Sequence, residues 1–386
     1  MTGLTANESA PRSTGVPAGG PPLRVVHFTD SAGGKDRLWG KENVIVELMI
    51  AQRASGLIEP ELVTFTPGLL DAKMEAAGFR VHRLEDRHRK LPTRSLGALR
   101  QALAGASPIV HAHEYKANIV ARIARATGTP MHRLVATCHG WVDHTPALDL
   151  YYALDRLSAV YTDAVTVTDP AMLDLFPSLR PARLAFVQNA MPDRPIPTFE
   201  QRMQARRHFG FPAGATVVGS MGRLTKNKGI LDIITAARRT ADDPRIIWAI
   251  AGSGGAAGSV AAEVERCGLS NVRSVGYAES DAYLAAIDVY LQASYFEGLS
   301  LSLLEAMRSQ VPSISTRAGA TEFAIRDRRE ALLIDAGDID AMVSAARVLH
   351  TDVDLRAELG RASRARFDDA FTIARQHAAF LDLYRS

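Results

Sequence analysis

The sequence predicts an α/β protein of two domains, each built from strand–loop–helix units of the doubly wound kind. Three observations lead there. At 386 residues the chain is long enough for two separate cores. Its 47% apolar content decides against disorder, and 23% charged residues leave ample polar surface for a soluble globular protein. Both halves open alike. An apolar run over 23–29 (LRVVHFT) leads into a loop with Gly33 and Gly34, then a helix with Val44, Leu48 and Ala51 on one side. A run over 216–220 (TVVGS) leads into a loop bounded by Gly222 and Gly229, with a helix after Ile230. In such units ligands gather beyond the strand ends. A net charge of +3 is close to balanced at this length, so bulk electrostatics do not ask for nucleic acid. Two cysteines are too few for a disulfide framework or a zinc site, and they fit a reducing compartment. No run of 18 apolar residues predicts a transmembrane helix.

The first 22 residues, rich in Pro, Gly, Ser and Thr, read as a disordered tail without the apolar core of a secretory signal. Gly33-Gly34 suits close backbone approach to a phosphate or sugar, and equally a plain tight turn. Strands are expected over 61–65 and 79–84. Seven Arg or Lys residues follow between positions 80 and 100 (80, 83, 87, 89, 90, 94 and 100). They form either a solvated basic face or a patch for anionic lipid headgroups. The runs 108–113 and 134–138 read as strands ending in histidines, His111, His113 and His139. A metal reading of these three is poor, because no carboxylate or cysteine joins them at ligand spacing. Cys138 and His139 make a poor nucleophile–base pair, because adjacent strand residues face opposite ways. Strands over 164–168 and 184–187 complete this half. Three prolines between 192 and 197 mark a linker.

In the second half a helix over 198–208 precedes the strand 216–220. In Gly222-Arg223-Leu-Thr-Lys226-Asn-Lys228-Gly229, two cations five residues apart can reach one pyrophosphate. Arg offers directional paired hydrogen bonds and Lys a mobile point charge. Lys226 reads as an additional, solvated cation. The strand 245–251 runs into Gly252-Ser-Gly254-Gly-Ala-Ala257, which matches a dinucleotide fingerprint. No acidic residue ends the next strand, 271–276, to hold an adenosine ribose. After a strand over 288–293, Glu297 and Glu305 stand eight residues apart across a loop-to-helix junction. Gly298 provides a turn, Ser300 an N-cap, and Leu301, Leu304 and Met307 a helical apolar spacing. A helix from near 299 would present unpaired N–H groups to an anion. The two carboxylates could then hold opposite ends of an elongated ligand, although the pair alone also fits an ordinary solvated helix. A strand over 311–315 and a final helix over 373–384, with Ala379, Phe380 and Leu383 as apolar anchors, close the chain.

Glu297-x7-Glu305 is followed by Ala306-Met307, Val311-Pro312 and Gly319-x-x-Glu322, and Arg223 stands 74 positions before Glu297. This set resembles the signature of the family 4 (group 1) retaining glycosyltransferases. The resemblance implies the GT-B fold, two Rossmann-like domains facing a cleft. Residues 23–192 would form the acceptor-side domain, 198–370 the nucleotide-sugar domain, and 371–386 a helix crossing back to the first. It implies sugar transfer with retention from a nucleotide-sugar donor, expected to be UDP-linked, to a glycan or lipid-linked acceptor in cell-surface polysaccharide or glycoconjugate synthesis. The tail and the cysteine count read as those of a cytoplasmic enzyme, with the basic stretch either a solvated face or its contact to an anionic membrane surface. By the family resemblance Arg223, Lys228 and the N–H groups of Gly298, Leu299 and Ser300 stabilise the leaving diphosphate. Glu297 orients the donor sugar, Glu305 binds the ribose, and His139 positions the sugar near its reacting carbon. His113 lines the acceptor cleft, and the Gly33-Gly34 loop faces the donor phosphates. No cofactor and no metal are expected, since two cations meet the diphosphate. Departures from the family pattern are Gln310 for a glycine, Ala318-Gly319 for a glycine pair, and Asn189-Ala190-Met191, which lacks a glycine. A nucleotide-sugar epimerase of the same fold and an NAD-dependent oxidoreductase are the alternatives.

Overall fold

A computed structural model describes residues 21–30, 38, 40–84, 95–140, 145–176 and 184–386. The expected tail, apart from Pro21 and Pro22, lies outside the described residues, as do Gly33 and Gly34.

Apolar runs too short for helices become two all-parallel sheets. The first contains β1 (Leu23–Thr29), β2 (Ile58–Thr64), β3 (Arg80–Arg83), β4 (Ile109–His113), β5 (Arg133–Cys138), β6 (Ala164–Val167) and β7 (Leu184–Phe186). Their spatial order is β3-β2-β1-β4-β5-β6-β7. The second contains β8 (Thr216–Arg223), β9 (Ile246–Ser253), β10 (Val272–Gly276), β11 (Val289–Gln292), β12 (Ser313–Thr316) and β13 (Ala331–Ile334). It is ordered β10-β9-β8-β11-β12-β13. Helices cover both faces, which is why strands such as β4 and β11 are buried at every position rather than alternating. These are the two Rossmann-like domains that the sequence predicts. β2 begins earlier than the expected run at 61, despite Pro60. The pairing with β3 starts only at Glu61, so Pro60 has no strand neighbour on that side.

In each sheet the strand order reverses beside the first strand, between β1 and β4 and between β8 and β11. A doubly wound sheet opens a crevice at the carboxyl ends of the strands flanking such a point. The two linking segments lie side by side. Met191 N–H donates to the Phe371 carbonyl at 3.1 Å, and Gln376 Nε2 donates to the Gln188 carbonyl at 2.8 Å. Beyond this crossing the helix Ile373–Arg385 inserts Phe380, Leu383 and Tyr384 among Val25, Leu48, Ile109 and Val135. The last helix therefore completes the core of the first domain. Among the described residues no helix is long and apolar enough to cross a membrane.

Local chemistry explains the helix that matters most, Leu301–Arg308. Ser300 caps it, its hydroxyl accepting from Leu303 N–H at 3.4 Å. It starts two residues later than the expected 299. Just past its end Gln310 adopts φ 58°, the left-handed region, where the family pattern has glycine. A side chain there costs roughly 1–2 kcal/mol.

Candidate active site

The halves enclose a cavity of about 860 Å³. Gly40, Asn43, Glu47 and Lys73 line it from the first domain, and Gly222, Arg223, Ser302 and Glu305 from the second. The halves approach closely at its rim, where a Cβ on Gly40 would lie 3.2 Å from Leu301 Cδ1. A smaller hollow adjoins it, lined by Arg223, Lys228, Ser294 and Glu297. Arg223, the last residue of β8, lines both. Lys228 ends a single turn, Lys226–Lys228, beyond that strand. Its Nζ is ion-paired with Glu297 Oε1, which also accepts from Ser294 Oγ at 2.7 Å. The cation and the carboxylate neutralise each other at a site where an anion would compete for the lysine.

Glu305 sits on the cavity side of the capped helix and accepts from Ser280 Oγ at 3.0 Å. Burial pushes its carboxyl above the ordinary range, opposed by that hydrogen bond and by Arg308. Leu299 is buried in the domain core, so only its backbone is available to a ligand. The Ser300 hydroxyl is committed to the cap and to Ser302 Oγ at 3.1 Å.

Glycine at 319 shapes this loop in a way the sequence reading did not assign. Gly319 has φ +55°, and a Cβ there would lie 1.6 Å from the Glu297 carbonyl oxygen. The backbone carrying Glu297 is further held by Tyr295 N–H donating to the Asn227 carbonyl at 2.8 Å. Thr316 Oγ1 donates to the Ser294 carbonyl at 2.6 Å. The dinucleotide-like turn has a packing explanation of the same kind. A Cβ on Gly252 would lie 1.9 Å from the Gly222 carbonyl oxygen, so the turn lies flush against the strand end that carries Arg223.

On the first domain His139 follows β5, and it lines neither hollow among the described residues. It ends a chain of imidazoles instead. His139 Nε2 lies 3.1 Å from His113 Nδ1, His113 Nε2 lies 3.0 Å from His27 Nδ1, and His27 Nε2 lies 2.7 Å from Gln52 Oε1. A second branch runs from Gln52 Nε2 to Tyr384 Oη at 3.2 Å and from there to His111 Nδ1 at 2.7 Å. His111 Nε2 reaches Thr137 Oγ1 at 2.7 Å. Burial lowers His27 to about 4, and burial with the nearby Lys41 charge lowers His139 to about 3. His111 and His113 are also lowered, first by burial and then by the neighbouring imidazoles. All four rings are neutral at pH 7. His113 is 1% exposed, so it does not line the acceptor cleft as expected; it backs His139. His27, Gln52 and Tyr384 went unnoticed in the sequence. A histidine inside the otherwise apolar LRVVHFT was the available signal, because a buried polar ring needs a partner. His27, His111 and His113 offer nitrogens within 4.8 Å of one another. In this structure every one of those nitrogens has a hydrogen-bond partner.

The basic stretch divides. Arg80 is paired with Glu61 at 2.8 Å and Arg83 with Glu75 at 2.6 Å, and Arg100 donates to the Thr127 carbonyl at 2.7 Å. Arg87, Arg89, Lys90 and Arg94 lie outside the described residues.

Comparison with known proteins adds the following. Residues 201–366 match the family described as glycosyl transferases group 1, and residues 40–190 match a glycosyl transferase 4-like domain. The lipopolysaccharide core biosynthesis glycosyltransferase LpsE of Rhizobium meliloti is 30% identical over 177 residues, 43% of this chain and 51% of that protein. The alpha-maltose-1-phosphate synthase of Mycolicibacterium smegmatis is 24% identical over 320 residues, 73% of this chain and 80% of that protein. The structure of Anabaena Alr3699/HepE in complex with UDP superposes with a TM-score of 0.81 at 17% identity. That match covers 93% of this chain and 99% of the other, and at this identity it speaks for the fold.

Proposed function

The chain belongs to the group 1 glycosyltransferases, and from that premise we propose that it transfers a hexosyl group from a UDP-sugar to a glycan or lipid-linked acceptor with retention of anomeric configuration. The observation that carries this reading is the placement of Arg223. It joins a hollow holding Lys228 and Glu297 to a cavity holding Glu305, so cations for a diphosphate stand between two carboxylates for the hydroxyls on either side of it.

As the glycosidic bond breaks, negative charge grows on the diphosphate. Arg223, Lys228 and the backbone N–H groups of Gly298, Leu299 and Ser300 meet it. Arrival of the diphosphate draws Lys228 away from Glu297 and frees that carboxylate to accept from donor-sugar hydroxyls. Glu305 accepts from the ribose hydroxyls. His139 lines neither hollow among the described residues, and its assignment to the donor sugar rests on the family resemblance; closure of the cleft excludes water. With two cations on the diphosphate, no divalent metal is needed in the donor site. UDP as the base-bearing product is supported by the UDP complex of the Anabaena protein, and a cell-envelope glycan acceptor by the lipopolysaccharide relative. We place the enzyme in the cytoplasm, with stretch 80–100 touching an anionic membrane surface.

The test is turnover of UDP-sugars by the purified chain in EDTA, with and without lipid-linked or oligosaccharide acceptors, followed by NMR of the product. UDP release that requires acceptor, and a product anomer matching the donor, is the expected result. Release of nucleotide and free sugar without acceptor would instead indicate an epimerase of this fold.

A further inference from the structure

The chain of imidazoles behind His139 has a direction, and Gln52 sets it. A carboxamide oxygen can only accept and a carboxamide NH2 can only donate. Gln52 Oε1 lies 2.7 Å from His27 Nε2, so His27 carries its proton on Nε2 and presents a bare Nδ1. That Nδ1 accepts from His113 Nε2–H at 3.0 Å, which leaves His113 Nδ1 bare. His113 Nδ1 in turn accepts from His139 Nε2–H at 3.1 Å. Each neutral imidazole has one donor and one acceptor nitrogen, so the assignment propagates without a break. The second branch accommodates the same amide orientation. Gln52 Nε2 donates to Tyr384 Oη at 3.2 Å, the Tyr384 hydroxyl donates to His111 Nδ1 at 2.7 Å, and His111 Nε2–H donates to Thr137 Oγ1 at 2.7 Å.

We propose that Gln52, on the helix Gly40–Ala54, is a positioning residue that holds His139 in the Nε2–H tautomer and thereby leaves Nδ1 as a hydrogen-bond acceptor for a donor-sugar hydroxyl. The sugar-facing part rests on the transferase reading above; the tautomer itself does not. Among the described residues Gln52 lines neither hollow. It is fully buried, and it acts through His27 and His113, which are buried as well. The depressed pKa values of all four histidines support the arrangement, since a protonated ring would place two donors in a chain that has room for one per link. The C-terminal helix belongs to the same device, because Tyr384 fixes the Gln52 amide from its NH2 side.

The experiment is long-range 1H–15N correlation of histidine-labelled full-length protein, without ligand, at neutral pH. His27, His113 and His139 are expected as pure Nε2–H tautomers. Gln52→Glu, whose carboxylate accepts from both neighbours, should keep His139 in that form and turn His111 to Nδ1–H, because Tyr384 then donates to the carboxylate. Gln52→Met, which offers no amide, should abolish the single-tautomer pattern at His139. Its donor-sugar KM should rise severalfold while UDP affinity stays unchanged, a split that general loosening of the fold would not produce. Nδ1–H at His139 in the wild type, or a His139 spectrum unaltered by Gln52→Met, would overturn the proposal. So would one bound Zn²⁺ per chain held by His27, His111 and His113. Apart from the KM readout, none of these outcomes depends on turnover, so the transferase reading stands or falls separately.

Discussion

Replacing Gly319 by alanine should impair catalysis by moving Glu297. The added Cβ would lie 1.6 Å from the Glu297 carbonyl oxygen, whereas such contacts do not fall below 3.0 Å. Relief therefore needs about 1.4 Å of displacement (3.0 less 1.6). The flanking Ala318 and Ala320 are each only 4% exposed, while Tyr295 and Phe296 beside Glu297 are about half exposed. The 295–297 loop is therefore the side that gives. A displacement near 1 Å at a reacting centre can cost about 10²-fold in rate. Alanine at φ +55° adds roughly 1–2 kcal/mol of backbone strain, a modest loss for a domain of this size. Steady-state transfer kinetics with UDP-sugar should show kcat about 10²-fold lower. Far-UV circular dichroism should be unchanged, and UDP should still bind through Arg223 and the base side of the cavity. A variant with normal kcat would refute the claim that Gly319 holds the Glu297 loop in its working position.

Three other outcomes follow from the same geometry. Arg223→Ala should lower kcat by about 10²-fold or more, as for loss of one preorganised electrostatic stabiliser, and near-normal turnover would remove Arg223 from the diphosphate site. Gln310→Gly should raise stability by about 1 kcal/mol, read as a higher denaturant midpoint, because it relieves a left-handed side chain just past a helix end. Acid should destabilise the first domain. Between the ordinary histidine value near 6.5 and the folded value of about 4, the unfolded chain takes up a proton at His27 that the folded chain refuses. Stability therefore falls as pH drops through this window. His27 alone accounts for about 2 kcal/mol at pH 5, and His111, His113 and His139 act in the same direction. Equal unfolding free energies at pH 7 and pH 5 would contradict a neutral buried chain.

Much of the fold was legible because parallel strands are continuous apolar runs and their loops carry glycine. The second-domain site was legible for a related reason. Arg223 ends a strand, Lys228 ends the turn after it, Glu297 lies in the loop before a capped helix and Glu305 lies on that helix, so short motifs record the local geometry. Ser300 was identified as a cap from its place before an apolar helical spacing, and it caps that helix. What escaped notice depended on contacts distant in sequence. His27 meets His113 across 86 positions, and Gln52 meets Tyr384 across 332. No local spacing reports such a meeting, so the sequence points to His113 as a cleft residue whereas in the structure it is an interior link. The pairing of Lys228 with Glu297 spans 69 positions and was hidden for the same reason. Gly319 was visible as part of a motif, but its purpose lies in the approach of a carbonyl from another loop.

The most direct test of the donor site is binding of UDP, GDP, ADP and NAD, each in EDTA, to wild-type protein and Arg223→Ala by calorimetry and thermal shift. UDP should bind and stabilise the wild type without metal, by about 2.7 kcal/mol at a concentration a hundredfold above Kd. Arg223→Ala should lose most of that stabilisation. Stabilisation by NAD alone, or UDP binding that is indifferent to Arg223, would contradict a nucleotide-sugar site between Lys228 and Glu305.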